Sequence, residues 1–233
     1  MKFAKRVVWV FGTVLPLATA SLHADMLDAW HWSDPMPFAE TMKSICFGNG
    51  KFVAAGDNGV IHTSSDGILW DEGQRPFVAT LNKIIFANGR FIAVGNGGAI
   101  ITSTNGLQWS SQASSTTDDL FGLTFGNGTY IACGAAGRLV KSANGNSWTA
   151  FNAGSNDLNW ITFGNGLFVL PAPTSSALQI LISSNLQTWT TATVTIVKYF
   201  SWPYQLFQVE FGNGTWVATV GDVTDYGGGQ KYP

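Results

Sequence analysis

The stretch FGNGKFVAAGDNGVIHTSSDGILW, Phe47 to Trp70, decides the reading of this chain, because the chain writes it again. It returns as FANGRFIAVGNGGAIITSTNGLQW (Phe86 to Trp109) and as FGNGTYIACGAAGRLVKSANGNSW (Phe125 to Trp148). A looser copy runs from Phe163 to Trp189, and a fifth starts at Phe211. The leading Phe residues are spaced 39, 39, 38 and 48 residues apart. A period of about 40 residues with several short strands per copy is the pattern of a β-propeller.

Within the first copy, Lys43 to Phe47 reads as a strand, Gly48-Asn49-Gly50 as a turn, and Lys51 to Gly56 as a second strand. Phe52, Val53, Ala54 and Ala55 are apolar at successive positions, so this strand expects cover on both faces. Asp57-Asn58-Gly59 turns again, Val60 to Ser64 is a third strand, and a fourth lies around Trp70. Four strands in a meander make one propeller blade, and one blade cannot cover both of its apolar faces. The expected class is therefore all-β: a propeller of four-stranded antiparallel blades, about five in this chain, or part of a larger ring. Residues 25–233 form that propeller, with repeats starting near Phe47, Phe86, Phe125, Phe163 and Phe211.

The third turn of each copy carries a resemblance. Ser64-x-Asp66-Gly67-x-x-Trp70, Ser103-x-Asn105-Gly106-x-x-Trp109, Ser142-x-Asn144-Gly145-x-x-Trp148 and Ser183-x-Asn185-Leu186-x-x-Trp189 resemble the Asp-box, or BNR, repeat. That repeat occurs in sialidase-type and photosystem II assembly factor-type propellers. The resemblance implies that these residues fold a turn on the propeller rim, away from the ligand site. The chemistry agrees: a short side-chain oxygen accepts backbone N–H groups across a turn, and Trp packs between blades. Asn in three of the four copies keeps the acceptor and drops the charge, which argues against a metal site there.

The ends of the chain carry further readings. Lys2, Lys5 and Arg6 precede an apolar run from Val7 to Ala20, so residues 1–24 read as a signal peptide. Cleavage falls after Ala20 or after Ala24, and the mature chain is expected to be secreted, periplasmic or at the cell surface, with no membrane span. Asp28-Ala29-Trp30-His31-Trp32 matches the end of a box and would supply an outer strand to the last blade. After Thr215 to Val220, the segment from Asp222 to Pro233 reads as a polar loop where a third strand is due. Cys46 and Cys133, the two cysteines, read as buried thiols in blades that are not neighbours.

A net charge of −2 leaves no basic face for phosphates, so nucleic acid is not an expected partner. No Cys/His metal spacing, P-loop or nucleophile elbow appears, and no cofactor is implied. In a four-stranded blade, the second-to-third turns and the blade-to-blade links share a face, and this is where the copies vary. The link after Trp189 carries Tyr199, Trp202 and Tyr204, and another carries Asp118 and Asp119. Aromatic rings beside polar loops suit a protein or glycan ligand. The expected function is a non-catalytic binding or scaffold module. The alternative is a sialidase-like glycoside hydrolase, which needs converging Arg residues; Arg75, Arg90 and Arg138 fall at unrelated places in the repeat.

Overall fold

The structure is a computed structural model that describes residues 40–71, 73–172, 179–193 and 204–222. The signal segment, the Asp28–Trp32 stretch, and all but the start of the segment from Asp222 to Pro233 lie outside the described residues, as do Tyr199 and Trp202.

Five antiparallel sheets follow one another along the chain. The first holds β1 (Met42–Gly48), β2 (Lys51–Gly56) and β3 (Ile61–Ser64). The second holds β4 (Leu81–Ala87), β5 (Arg90–Gly95), β6 (Ile100–Ser103) and β7 (Ser110–Ser111). The third holds β8 (Leu120–Gly126), β9 (Thr129–Gly134), β10 (Arg138–Ser142) and β11 (Thr149–Asn152). The fourth holds β12 (Thr162–Gly164), β13 (Leu167–Pro171), β14 (Gln179–Ser183) and β15 (Thr190–Thr193). The fifth pairs β16 (Tyr204–Gly212) with β17 (Thr215–Asp222). The first strands of successive blades pack on each other, β1 with β4, then β8, β12 and β16. This is a β-propeller of about five blades, as the repeat leads one to expect.

Each first hairpin closes through an Asn-Gly pair, and both residues take positive φ: 48° and 71° at Asn49 and Gly50, 46° and 71° at Asn127 and Gly128. Positive φ at both central residues twists the hairpin in the sense the strands require. Gly48 is not part of that turn, contrary to the sequence reading. It ends β1, and a Cβ there would lie 2.0 Å from Cγ of Phe86 in the next blade. Gly126 stands in the same way under Phe163, and Gly164 under Phe211. The absent side chain seats a neighbouring ring.

The fourth strand also differs from expectation. It starts just beyond the Trp, because the indole N–H closes the turn on Gly106 O (3.2 Å) and on Gly145 O (3.1 Å). In the first blade it shrinks to a single bridge between Ile61 and Gln74. There the Asp71 carboxylate takes the N–H and hydroxyl of Thr63 at 3.0 and 2.8 Å, filling a ladder position with a side chain.

The core sits between blades. Val53, Ala55 and Ile61 meet Leu81, Ile84, Phe91 and Ala93 in one cluster, while Ile92, Val94 and Ile100 meet Leu120, Leu123 and Tyr130 in the next. A third cluster joins Ile131, Cys133 and Leu139 to Ile161, Phe168 and Leu170, and Val169 meets Val209 beyond it. Strands β5 and β9 are buried at five of their six positions, so the doubly apolar reading of the second strands holds. Cys46 and Cys133 are both free; Cys133 is buried as expected, but Cys46, packed toward the second blade, is only half-buried.

The four Ser-x-Asp/Asn turns are superposable in their bonding. The hydroxyl of Ser64 accepts the N–H of Gly67 (2.9 Å), and Asp66 Oδ1 accepts those of Ile68 (2.8 Å) and Leu69 (2.9 Å). Asn144 does the same for Asn146 and Ser147, and Asn185 for Gln187 and Thr188. The backbone N–H groups of Ile68 and Leu69, and then the Ser64 hydroxyl, hold the Asp66 carboxyl below its ordinary range. Its support is therefore in place above the unfolded carboxylate value and is lost as pH falls through the depressed folded value. In Asp66→Asn the acid limb of a thermal-stability-versus-pH curve is expected to flatten while the neutral-pH melting temperature holds, since Asn serves in the other three turns.

Candidate functional site

The turns between second and third strands, Asp57–Gly59, Asn96–Gly98 and Ala135–Gly137, lie against the links that join blades. Gly59 approaches the carbonyl of Phe77, Gly98 that of Thr116, and Gly137 that of Gly154. These turns and links form one face, as the topology requires. Asp119, one of the two acidic link residues singled out in the sequence, accepts the N–H of Gly97 at 2.7 Å. Asp157 does the same for Ala136 at 2.9 Å. Each carboxylate pins a link to a turn of the blade before it, which makes this loop face rigid.

Asp118 lies beside Asp119 but bonds elsewhere: Arg138 Nε at 2.6 Å and the Thr116 hydroxyl at 2.9 Å. The bond from the guanidinium, followed by that from Thr116, holds its carboxyl below the ordinary range. Between the links a cleft of about 660 Å³ opens over blade 2. Phe77, Ala99 and Ile100 give it an apolar floor, Gln112, Ser114 and Thr117 line it with polar groups, and the Asp118–Arg138 pair stands at its end. An apolar floor with a few fixed polar groups is the composition of a ligand cleft. Tyr204 begins β16, paired with Asp222; Tyr199 and Trp202 lie outside the described residues.

The three arginines among the described residues do not meet. Arg75 pairs with Glu40, Arg90 with the Asn146 side chain at 2.5 Å, and Arg138 with Asp118. His62 sits in β3, 3% exposed, with Nδ1 2.9 Å from the carbonyl of Asp71. Among the described residues no three of His, Cys, Asp and Glu gather as a metal site would need, and no helix is long and apolar enough to cross a membrane.

One cluster escaped the sequence reading. Lys83 of β4 places its ammonium 3.9 Å from the centre of the Trp160 ring, although Trp160 precedes β12 and blade 3 stands between. Gly122 of β8 makes room: a Cβ there would lie 3.2 Å from Trp160 Cα and 2.7 Å from Cys133 Sγ. Burial holds the Lys83 ammonium below its usual range, opposed by the charge of Glu210. Burial likewise pushes the Cys46 thiol up to about 12, so it is a thiol and not a nucleophilic thiolate at neutral pH. Glu210 in turn accepts the Thr162 hydroxyl at 3.1 Å, and Trp160 Nε1 donates to Val209 O at 3.2 Å. The signal was in the alignment of the copies. Three positions before each leading Phe, the sequence reads Ser44, Lys83, Gly122, Trp160 and Gln208, five different residues and the most varied column of the first strand.

No family model matches the sequence, and no curated protein matches it. Solved structures are similar in fold. YCF48 bound to a D1 peptide aligns with a TM-score of 0.59 at 16% identity, over 75% of this chain and 58% of that one. YCF48 from Cyanidioschyzon merolae aligns with a TM-score of 0.57 at 14% identity, over 76% and 62%. A chain of the nidogen/laminin complex aligns with a TM-score of 0.56 at 10% identity, over 77% and 72%. These are β-propellers, and the likeness is one of fold. The aligned part spans about three-fifths of the two YCF48 chains.

Proposed function

We propose that this chain is an exported, non-catalytic Asp-box propeller whose loop face binds an extended segment of a partner protein. The cleft over blade 2 carries the reading. Its hydroxyl and amide groups suit a peptide backbone, and its Phe77–Ile100 floor takes one apolar side chain. The link stapled by Asp119 to the Gly97 turn holds the cleft's wall in place before the partner arrives, which lowers the ordering cost of binding. The structurally similar YCF48 was solved with a peptide, which makes a protein segment the first ligand to try; this is analogy of fold. We read the four Ser-x-Asp/Asn turns, whose side-chain oxygens accept the backbone N–H groups that follow, as Asp-boxes of the rim. A sialidase-type hydrolase has less support, since Arg75, Arg90 and Arg138 each serve a separate partner.

The test is selection of binding peptides from a random display library, with a glycan array as the second arm. Ala113→Trp and Thr117→Trp then fill the cleft from two exposed positions that line it. Selected peptides are expected to bind both variants at least about tenfold more weakly, a loss of about 1.4 kcal/mol. Peptides that bind both variants as tightly as the parent chain overturn the cleft reading. Loss in Tyr199→Ala, Trp202→Ala or Tyr204→Ala instead moves the site to the long link, and binding confined to glycans moves the partner class.

A further inference from the structure

The first strands of successive blades pack on one another and form the inner edge of the array, the side on which a propeller has its channel. Several polar groups on these strands are bonded locally. The Ser44 hydroxyl accepts the N–H of Ile84 (3.2 Å), and the Asn82 amide donates to the carbonyl of Leu120 (2.9 Å). Lys83 differs. Among the described residues its ammonium meets the ring face of Trp160 at 3.9 Å and no carboxylate within 4 Å. A ring face stabilises the cation but leaves N–H groups of the ammonium to bond elsewhere.

Glu210 of β16 is the matching group. The Thr162 hydroxyl donates to one of its oxygens at 3.1 Å and the Gln208 amide to the other at 3.5 Å, which fixes the carboxylate and leaves each oxygen a lone pair. Glu210 is exposed, and its charge reaches Lys83: burial lowers the ammonium below its usual range, and the Glu210 charge opposes that fall. The two charges sense each other without touching. Between Lys83 and Trp160, β8 contributes Gly122, so no side chain enters from that position. A lone anion here is drawn to Lys83 and repelled by Glu210, and a lone cation meets the reverse. A ligand with both charges on neighbouring groups satisfies both.

We propose that the inner edge of blades 2, 4 and 5 binds a free α-amino acid, with its carboxylate on the Lys83 ammonium and its ammonium on the Glu210 carboxylate. Trp160 holds the lysine in place from one side, and Thr162 holds the glutamate. This inference does not rest on the loop-face cleft, whose lining residues include none of these four.

Thermal-shift measurements on the full chain with each common α-amino acid find the best ligand. Isothermal titration then compares that amino acid with its N-acetyl and carboxamide derivatives, each of which lacks one of the two charges. At least one free amino acid is expected to bind with a Kd of about 1 mM or tighter. Either derivative is expected to bind at least about tenfold more weakly. Lys83→Met keeps an unbranched stem over Trp160, and Glu210→Gln keeps an acceptor for Thr162; each is expected to weaken binding at least about tenfold. Ala113→Trp, in the cleft, is expected to leave it unchanged. If Lys83→Met does not keep the β-sheet circular dichroism of the parent, Lys83→Gln replaces it. Binding by no free amino acid, a derivative that binds as tightly as the free form, or variants at Lys83 and Glu210 that bind like the parent overturns the proposal.

Discussion

Trp148→Ala is expected to lower the stability of the chain by about 3–5 kcal/mol, read by urea denaturation. Trp148 is 5% exposed and sits in the cluster that joins blades 2 and 3. Its ring lies 6.3 Å from that of Tyr130, its N–H donates to Gly145 O, and its carbonyl accepts the Ser115 hydroxyl at 3.1 Å. Truncation opens a cavity between two sheets whose other faces are already packed, so little can collapse to fill it. It also removes the indole N–H that closes the turn before the last strand of blade 3 on Gly145 O, while the backbone carbonyl keeps its bond from Ser115. Trp70→Ala is expected to cost markedly less, because that ring is only half-buried in the first blade. Equal losses at the two positions would contradict a core that lies between the blades.

Gly126→Leu is expected to destabilise by at least about 1–3 kcal/mol, for a different reason. The backbone of Gly126 lies outside the left-handed region, so strain in φ is not the cause. A Cβ there would lie 2.1 Å from Cγ of Phe163, the base of a ring fixed by Phe168 at 4.7 Å. Either the ring leaves its rotamer or blades 3 and 4 separate. Phe163→Ala in the same background is expected to recover part of the loss, giving a coupling of the size found for residues in contact, about 0.5–3 kcal/mol. Gly212 holds the same repeat position with nothing within 4 Å of its Cβ site among the described residues, and Gly212→Leu is expected to fall within about 0.5 kcal/mol of the parent. Measured side by side, the two variants separate a seat that is filled from one that is open.

Much of this molecule can be read from one copy of its repeat. Alternation and turn residues locate most strands to within a residue or two, because the Asn-Gly pairs admit only hairpins and the doubly apolar second strands admit only burial. The Ser-x-Asp/Asn turns were legible for the same reason: their hydrogen bonds are local, reaching two or three residues along the chain. Gly48 was misread as turn chemistry because a glycine without positive φ leaves no local trace; its reason stands in the next blade. The fourth strand of blade 1 was misread because Asp71 competes with the backbone for Thr63, which a repeat average cannot reveal.

The loop face divides along the same line. The sequence marked Asp118 and Asp119 as alike, but the fold sends one to Arg138 and the other to the N–H of Gly97, 22 residues back along the chain. Lys83 and Trp160 belong to blades two apart and meet only because Gly122, between them, has no side chain.

The order of residues alone therefore determined the blade: its strands, its hairpins, its anchored turn and its need for neighbours on both flanks. What only the assembled fold decided is everything that passes from one blade to another, including ring over glycine, carboxylate to a distant amide, and lysine over tryptophan. Local structure follows from dihedral preference and nearby hydrogen bonds, which a forty-residue window contains. Contacts across blades depend on which side chains the stacking brings within reach, and that is a property of the array.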